Sequence, residues 1–376
     1  VVSTTTSTGM GELKKKLPFH IQKIYYPIDR KKFVLRAFRL LRPEAIVLVE
    51  AEIWPNFLWT ARSQNVPVFL VNARMSPKSY QGYKRFGFLF RPLFASLRGV
   101  GVQHEEDRRR LTDLGCAPES VRVVGNLKFD SAASISERRH LDPKALLAQC
   151  GVGEGRPVIV AGSTHPGEEA ILARVFLRLR QLFPTLFLVV VPRHFERGQD
   201  AAMEIRSQGV DKLMFRSELS STSSTPEGEL DCLLVNTTGE LRFFYEVATA
   251  IFVGKSLRGE GGQNPIEPAA LGKPVVFGPN MQNFAGIVAA MLAADGAVQV
   301  SDEDSLFEAM RLLLGDKARR EAMGRAGVRV VRENQGSIDR TVEMILPHLK
   351  DEAIFIRPRT VSPPGPAVDL KTPRKQ

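Results

Sequence analysis

Three short segments beyond residue 160 carry residue types that hold anions. Gly259–Pro268 reads GEGGQNPIEP. Its glycines let backbone approach a ligand closely, and Pro265 and Pro268 suit a turn entering a helix. Gly262, Gln263 and Asn264 lie in that turn. Glu267, at the helix start, could accept two hydrogen bonds from a ribose diol, while the free amides there could take a phosphate. A plain Gly/Pro turn, with Glu267 favouring the helix dipole, accounts for the same residues. Ala161–Glu168 reads AGSTHPGE, where Ser163 or Thr164 is placed to cap a helix whose amides could also cradle a phosphate. It is not a P-loop, because the Lys-Ser/Thr ending is missing. In VPRHFER, Arg193 is a fixed cation at a strand end, suited to a phosphate. His194 has no nearby nucleophile or second ligand, and the six histidines show no metal-ligand spacing, so no metal site is expected.

The first half offers carboxylates and cations instead. VEAEIWP puts Glu50 and Glu52 at the end of an apolar run beside Trp54. Two such carboxylates are costly there unless used or paired. Either one handles protons, or both bind basic residues as structural salt bridges; strand ends host sites in α/β folds, which favours the first. Arg74 and Lys78, in NARMSPKS, would lie near them if the two strands are neighbours. A solvated loop is the simpler reading of Lys78. Lys32, Arg36 and Arg39 share one face of a helix expected over Asp29–Arg42, with Phe33, Ala37, Leu40 and Leu41 on the other. Such a helix is either a solvated face or one that lies on anionic headgroups. The aromatic interleaving of a single-strand nucleic-acid binder is thin, so no nucleic-acid partner is expected.

Short apolar runs alternating with helical patterns must position these groups. Strands are expected at Ala45–Val49, Val66–Val71, Leu97–Val102, Val121–Val124, Pro157–Ala161, Leu186–Val191, Ala250–Val253 and Pro274–Phe277. Helices are expected at Arg108–Leu114, Glu168–Leu182 and Leu241–Ala248, with another starting at Glu267. That grammar means parallel sheets wrapped by helices, a doubly wound α/β class, and two such units with a cleft between them. The units are expected over 1–135 and 150–348, with a disordered basic, Pro-rich tail over 356–376.

Composition agrees with a soluble two-domain chain: 376 residues, 43% hydrophobic and 25% charged. Cys116, Cys150 and Cys232 are too few and scattered for a disulfide framework, which points to a reducing compartment. The longest apolar runs fall short of the roughly 18 residues a membrane-spanning helix needs. Residues 1–130 carry 22 Lys and Arg against 11 Asp and Glu, whereas 131–349 carry 24 against 27. The basic excess on the first half suggests an anionic partner there.

Eight segments in order resemble the 3-deoxy-D-manno-octulosonic acid (Kdo) transferases of lipopolysaccharide synthesis: VEAEIWPN, NARMSPKSYQGYKRF, GVQHEEDRRRLTDLG, VVGNLKFD, AGSTHPGEE, VPRHFER, TTGELRFFY and GGQNPIEPAALGKPVVFGP. The resemblance runs from Val1 to about His348. It implies a GT-B fold, two Rossmann-like doubly wound domains facing a cleft. It also implies transfer from CMP-Kdo to a lipid A precursor (lipid IV-A), inverting, with no metal or other cofactor, at the cytoplasmic face of the bacterial inner membrane. Matched by motif, Arg193, Gly262, Gln263, Asn264 and Glu267 would hold CMP. Thr238, Gly239 and Glu240 would line the same cleft near Ser163. Glu50 and Glu52 fall in the family's Glu-Thr-Glu-Leu-Trp-Pro motif on the acceptor side. There Lys32, Arg36, Arg39 and Arg74 would meet acceptor phosphates and the anionic membrane surface.

Ala51, Gln263 and Asn236 depart from the family's usual Thr, His and Asp. Val1–Gly9 resembles the family's second strand and the loop after it. The membrane anchor, first strand and general-base Glu are therefore expected before Val1, leaving this chain to bind CMP without turnover unless Glu50 or Glu52 serves as base. The rival readings are a GT-B enzyme of a UDP-sugar and a non-catalytic nucleotide-binding remnant.

Overall fold

In the computed structural model, residues 1–50, 53–133, 141–220, 225–226 and 228–349 are described. Ala51, Glu52 and the tail over 356–376 lie outside them. The chain divides into two compact units: Val1–Val123 with the described residues from Thr341 onward, and Val124–Arg340. The division falls earlier than 135, because Phe129, in the helix Leu127–Ala133, is buried in the second unit's core.

In the first unit, β1 (Val2–Thr4) and β2 (Lys23–Tyr25) form a parallel pair. β3 (Ile46–Val49), β4 (Val68–Ala73), β5 (Gly99–Val102) and β6 (Val121–Val123) form a parallel sheet in that order. Between β1 and β3 lies a cavity of about 420 Å³, lined by residues that include Val1, Ser3, Phe38, Ile46, Val47 and Phe57. Residues 7–9, expected in a loop, instead open the helix Ser7–Lys16, because Thr6 caps it by accepting the Gly9 N–H at 3.0 Å. The basic helix runs over Lys31–Leu41 and buries Val34 and Phe38. Phe33 and Leu40, expected inward, are 41% and 73% exposed, because the inward stripe is one residue out of step with the expected one. Lys78 sits in the first turn of the helix Pro77–Arg85, which Ser76 caps, and not in a loop.

The second unit is a seven-stranded parallel sheet. Its strands are β7 (Val158–Thr164), β8 (Phe187–Pro192), β9 (Leu213–Phe215), β10 (Cys232–Leu234), β11 (Ala250–Val253), β12 (Val275–Phe277) and β13 (Val298–Gln299), ordered β13-β12-β11-β7-β8-β10-β9. Alternation sends neighbours to opposite faces. Val158, Val160, Phe187 and Val189 enter one core, and Ile159, Ala161, Leu188 and Val190 the other. Both faces being covered is why these strands read as unbroken apolar runs. Cys116 in the first unit and Cys150 and Cys232 in the second are buried free thiols. Burial pushes the Cys116 thiol up to about 12 and the Cys150 thiol up to about 11.

Candidate functional site

Strand order reverses at β7: β8 lies on one side of it and β11 on the other. The crevice at the carboxyl ends of such strands is where open α/β sheets bind ligands. AGSTHPGE and VPRHFER run out of the ends of β7 and β8, and the Gly-rich loop follows β11, so the fold gathers all three sequence candidates at one sheet end.

Ser163, the last residue but one of β7, lies in the left-handed region (φ 56°) and is half-buried. Neither it nor Thr164 caps the helix Glu168–Arg180. Thr164 is fully buried and donates to Glu169 Oε1 at 2.8 Å, while Gly167, at the cap position, donates its N–H to Glu204 Oε2 at 3.0 Å. Burial raises the Glu169 carboxyl above its ordinary value, opposed by its hydrogen bonds to Arg197 and Thr164. Arg197 bridges Glu169 at 3.0 Å and Glu204 at 3.6 Å. Arg193 differs: its backbone N–H is fixed to Thr164 O at 3.0 Å, and its exposed guanidinium has no ion pair among the described residues. His194 is exposed, with its ring 6.2 Å from that of His165. Burial lowers the His165 imidazole, against a hydrogen bond with Ser163 O.

The Gly-rich loop is held at its far end by Gln282, which accepts the Gly261 N–H at 2.7 Å, and by Asn283, whose N–H reaches Gly261 O at 3.0 Å. Gly262 (φ 69°) is packed so closely that a Cβ would come within 2.4 Å of Met281 Sδ and 3.0 Å of Asn280 O. Gln263 is half-buried. Asn264 accepts the Ile266 N–H at 3.1 Å and donates to Glu267 Oε1 at 3.3 Å. The helix that begins here, Ile266–Ala270, has five residues, so its dipole is small and a phosphate there would rely on individual amides. Thr238 and Gly239 are exposed, whereas Glu240 is committed to Arg216 at 3.0 Å and to the Thr237 hydroxyl at 2.8 Å. The sequence pointed to none of those two partners, and it also missed Glu168, which is fully buried at the start of its helix. A glutamate in a first helical turn reads as a dipole partner; only the GEE doubling hinted at more.

In the first unit β3 and β4 are neighbours, so Glu50 and Arg74 stand at the same sheet end. Glu50 is exposed in the left-handed region (φ 62°), with its N–H on Val71 O at 2.9 Å, and therefore avoids the desolvation that burial would impose. Arg74, Lys32, Arg36 and Arg39 are exposed. Asp29, which sequence reasoning passed over, reaches across to cap the helix Pro55–Ser63, accepting the N–H groups of Asn56 at 3.1 Å and Phe57 at 2.9 Å.

Comparison with known proteins narrows the chemistry. Residues 1–131 match the family model described as 3-deoxy-D-manno-octulosonic-acid transferase (kdotransferase). The chain is 30% identical over 349 residues to the 3-deoxy-D-manno-octulosonic acid transferase of Haemophilus influenzae, covering 93% of this chain and 80% of that one. It is 32% identical over 354 residues to the enzyme of the same name from Bordetella pertussis, covering 92% and 80%. Among solved structures it resembles the UDP-GlcNAc 2-epimerase of Neisseria meningitidis (TM-score 0.60, 15% identity, 92% of this chain and 90% of that). It also resembles a glycosyltransferase from Rickettsia africae (TM-score 0.58, 14% identity, 93% and 90%). At those identities the likeness is one of fold, the α/β GT-B class.

Proposed function

The chain belongs to the 3-deoxy-D-manno-octulosonic acid (Kdo) transferase family, and from that membership we propose that it moves Kdo from CMP-Kdo to a phosphorylated lipid A precursor, lipid IV-A. The reaction inverts the anomeric centre and uses neither metal nor other cofactor. Arg193 is the observation that carries the donor half. It is a guanidinium at the topological switch of a parallel sheet, free of ion pairs among the described residues, while Arg197 beside it is spent on two glutamates. An acceptor hydroxyl attacks the anomeric carbon, the bond to the phosphate oxygen breaks, and its electron pair leaves with CMP. Arg193 meets the charge that develops on that phosphate. Glu267, steadied by Asn264, takes the ribose hydroxyls, with Ser163, Gly262, Gln263, Thr238 and Gly239 shaping the walls. Glu240 acts from behind, by fixing Arg216. The proton of the attacking hydroxyl goes to a carboxylate, and among the described residues Glu50 is the one at a strand end of the first unit.

The acceptor side rests on the basic first unit. Lys32, Arg36, Arg39 and Arg74 are exposed, and Phe33 and Leu40 stand exposed on the same helix as the first three. Cations interleaved with outward apolar side chains suit a phosphorylated lipid at an anionic membrane, here the cytoplasmic face of the inner membrane. Among the described residues no helix is long and apolar enough to cross a membrane.

Calorimetry with CMP and with UMP tests the donor reading. Selective CMP binding, weakened roughly ten- to hundredfold in Arg193→Ala, is expected from losing a charge-assisted contact. UMP preference would redirect the reading to a UDP-sugar, and undiminished CMP affinity in Arg193→Ala would remove that residue from the site.

A further inference from the structure

The turn that follows β11 hangs on one carboxylate. Glu168 Oε2 accepts the Lys255 N–H at 2.7 Å and the His165 N–H at 3.0 Å. Its Oε1 accepts Ser256 at 2.9 Å, Leu257 at 3.0 Å and, more weakly, Arg258 at 3.4 Å. Consecutive amides converging on a single anion form the kind of nest that elsewhere captures phosphate. Here the anion is the chain's own, and it is fully buried. The turn has little freedom to move elsewhere. A Cβ on Gly254 would come within 2.5 Å of Ser163 O, and Ser256 is tied to the next strand's end through the Gly278 N–H at 2.9 Å.

Resting on the CMP-Kdo reading above, we propose that Glu168 is a positioning residue of the donor site. By filling the nest it fixes the Lys255–Arg258 turn, and with it the register of Gly261, Gly262, Asn264 and Glu267 against the nucleotide. It also denies those four amides to the donor phosphate, which is left to Arg193. A glutamine has the same shape but accepts through one oxygen only. Its amide group would turn an N–H toward the Lys255 or Ser256 N–H, setting donor against donor.

The test compares wild type, Glu168→Gln and Glu168→Ala by CMP calorimetry and by hydrogen exchange at the amides of residues 255–258. Both variants should lose protection at those amides and bind CMP roughly ten- to hundredfold more weakly. Formate, which fits a vacated nest, should restore much of both in Glu168→Ala, and chloride at equal ionic strength should not. If Glu168→Ala does not fold, Glu168→Gln carries the same two readouts. A folded variant with wild-type CMP affinity overturns the proposal, as does unchanged protection at residues 255–258. Failure of the wild type to bind CMP overturns the donor reading instead. In that case lost protection in Glu168→Gln still supports the carboxylate's hold on the turn, and intact protection still refutes it.

Discussion

IVLV in β3 and VIVA in β7 look alike as sequence, yet the structure treats them differently. In β7 every one of those side chains is buried, divided between two cores. In β3 burial alternates: Ile46 and Leu48 face the core, while Val47 and Val49 are 49% and 50% exposed. An unbroken apolar run is what a strand covered on both faces requires. β7 has that cover. β3 has the run, an edge without a partner strand among the described residues, and a cavity beside it. The second unit is thus a finished platform, and the basic unit keeps an open apolar flank at its sheet edge.

The comparison can be broken at several strengths. Gly254→Ala should be the most damaging change, because its Cβ would meet backbone on the facing strand end; a loss of several kcal/mol, about the scale of severe overpacking, is expected in urea unfolding. Val189→Ala should destabilise the second unit by about 2–3 kcal/mol, and Val47→Ala the first by less than about 1 kcal/mol. Equal losses would show that β3 is covered after all. A smaller effect comes from the Glu169 carboxyl, whose folded value burial holds above 4.5. The folded state then binds more protons than the unfolded one just above that pH. Stability therefore falls as pH rises through the window between the two values, by at most about 1.4 kcal/mol per pH unit. Glu169→Gln should flatten that slope in a pH series of urea melts. The smallest change is a gain: Gly82, exposed in the helix Pro77–Arg85 with open space around it, should stabilise the first unit by about 0.5–1 kcal/mol as Gly82→Ala.

What was legible in the sequence follows from how local the signal is. Ala250–Val253 is a strand to the residue, since a β-branched run between turn residues declares itself. β13, of two residues, is too short to leave a pattern, and its pairing comes from the sheet it joins. The strand-end placement of the three candidate loops and of Arg193 was readable because each follows directly on its own apolar run. The commitments of Glu168, Glu169 and Glu240 were not, because their charged or converging partners, the amides of residues 255–258, Arg197 and Arg216, lie between 24 and 90 residues away. The basic helix shows the limit from another direction: its charges are exposed as their spacing predicts, but Phe33 and Leu40 look like core until Val34 and Phe38 take that role.

The three buried thiols turn the two-unit architecture into something that can be timed. Cys116 reports on the first unit, Cys150 and Cys232 on the second, and burial keeps all three protonated and shielded at neutral pH. A thiol reagent can reach them only when the unit around them opens. Trapping rates at Cys116 against the other two therefore measure separately how often each half of the molecule breathes, without any label being introduced.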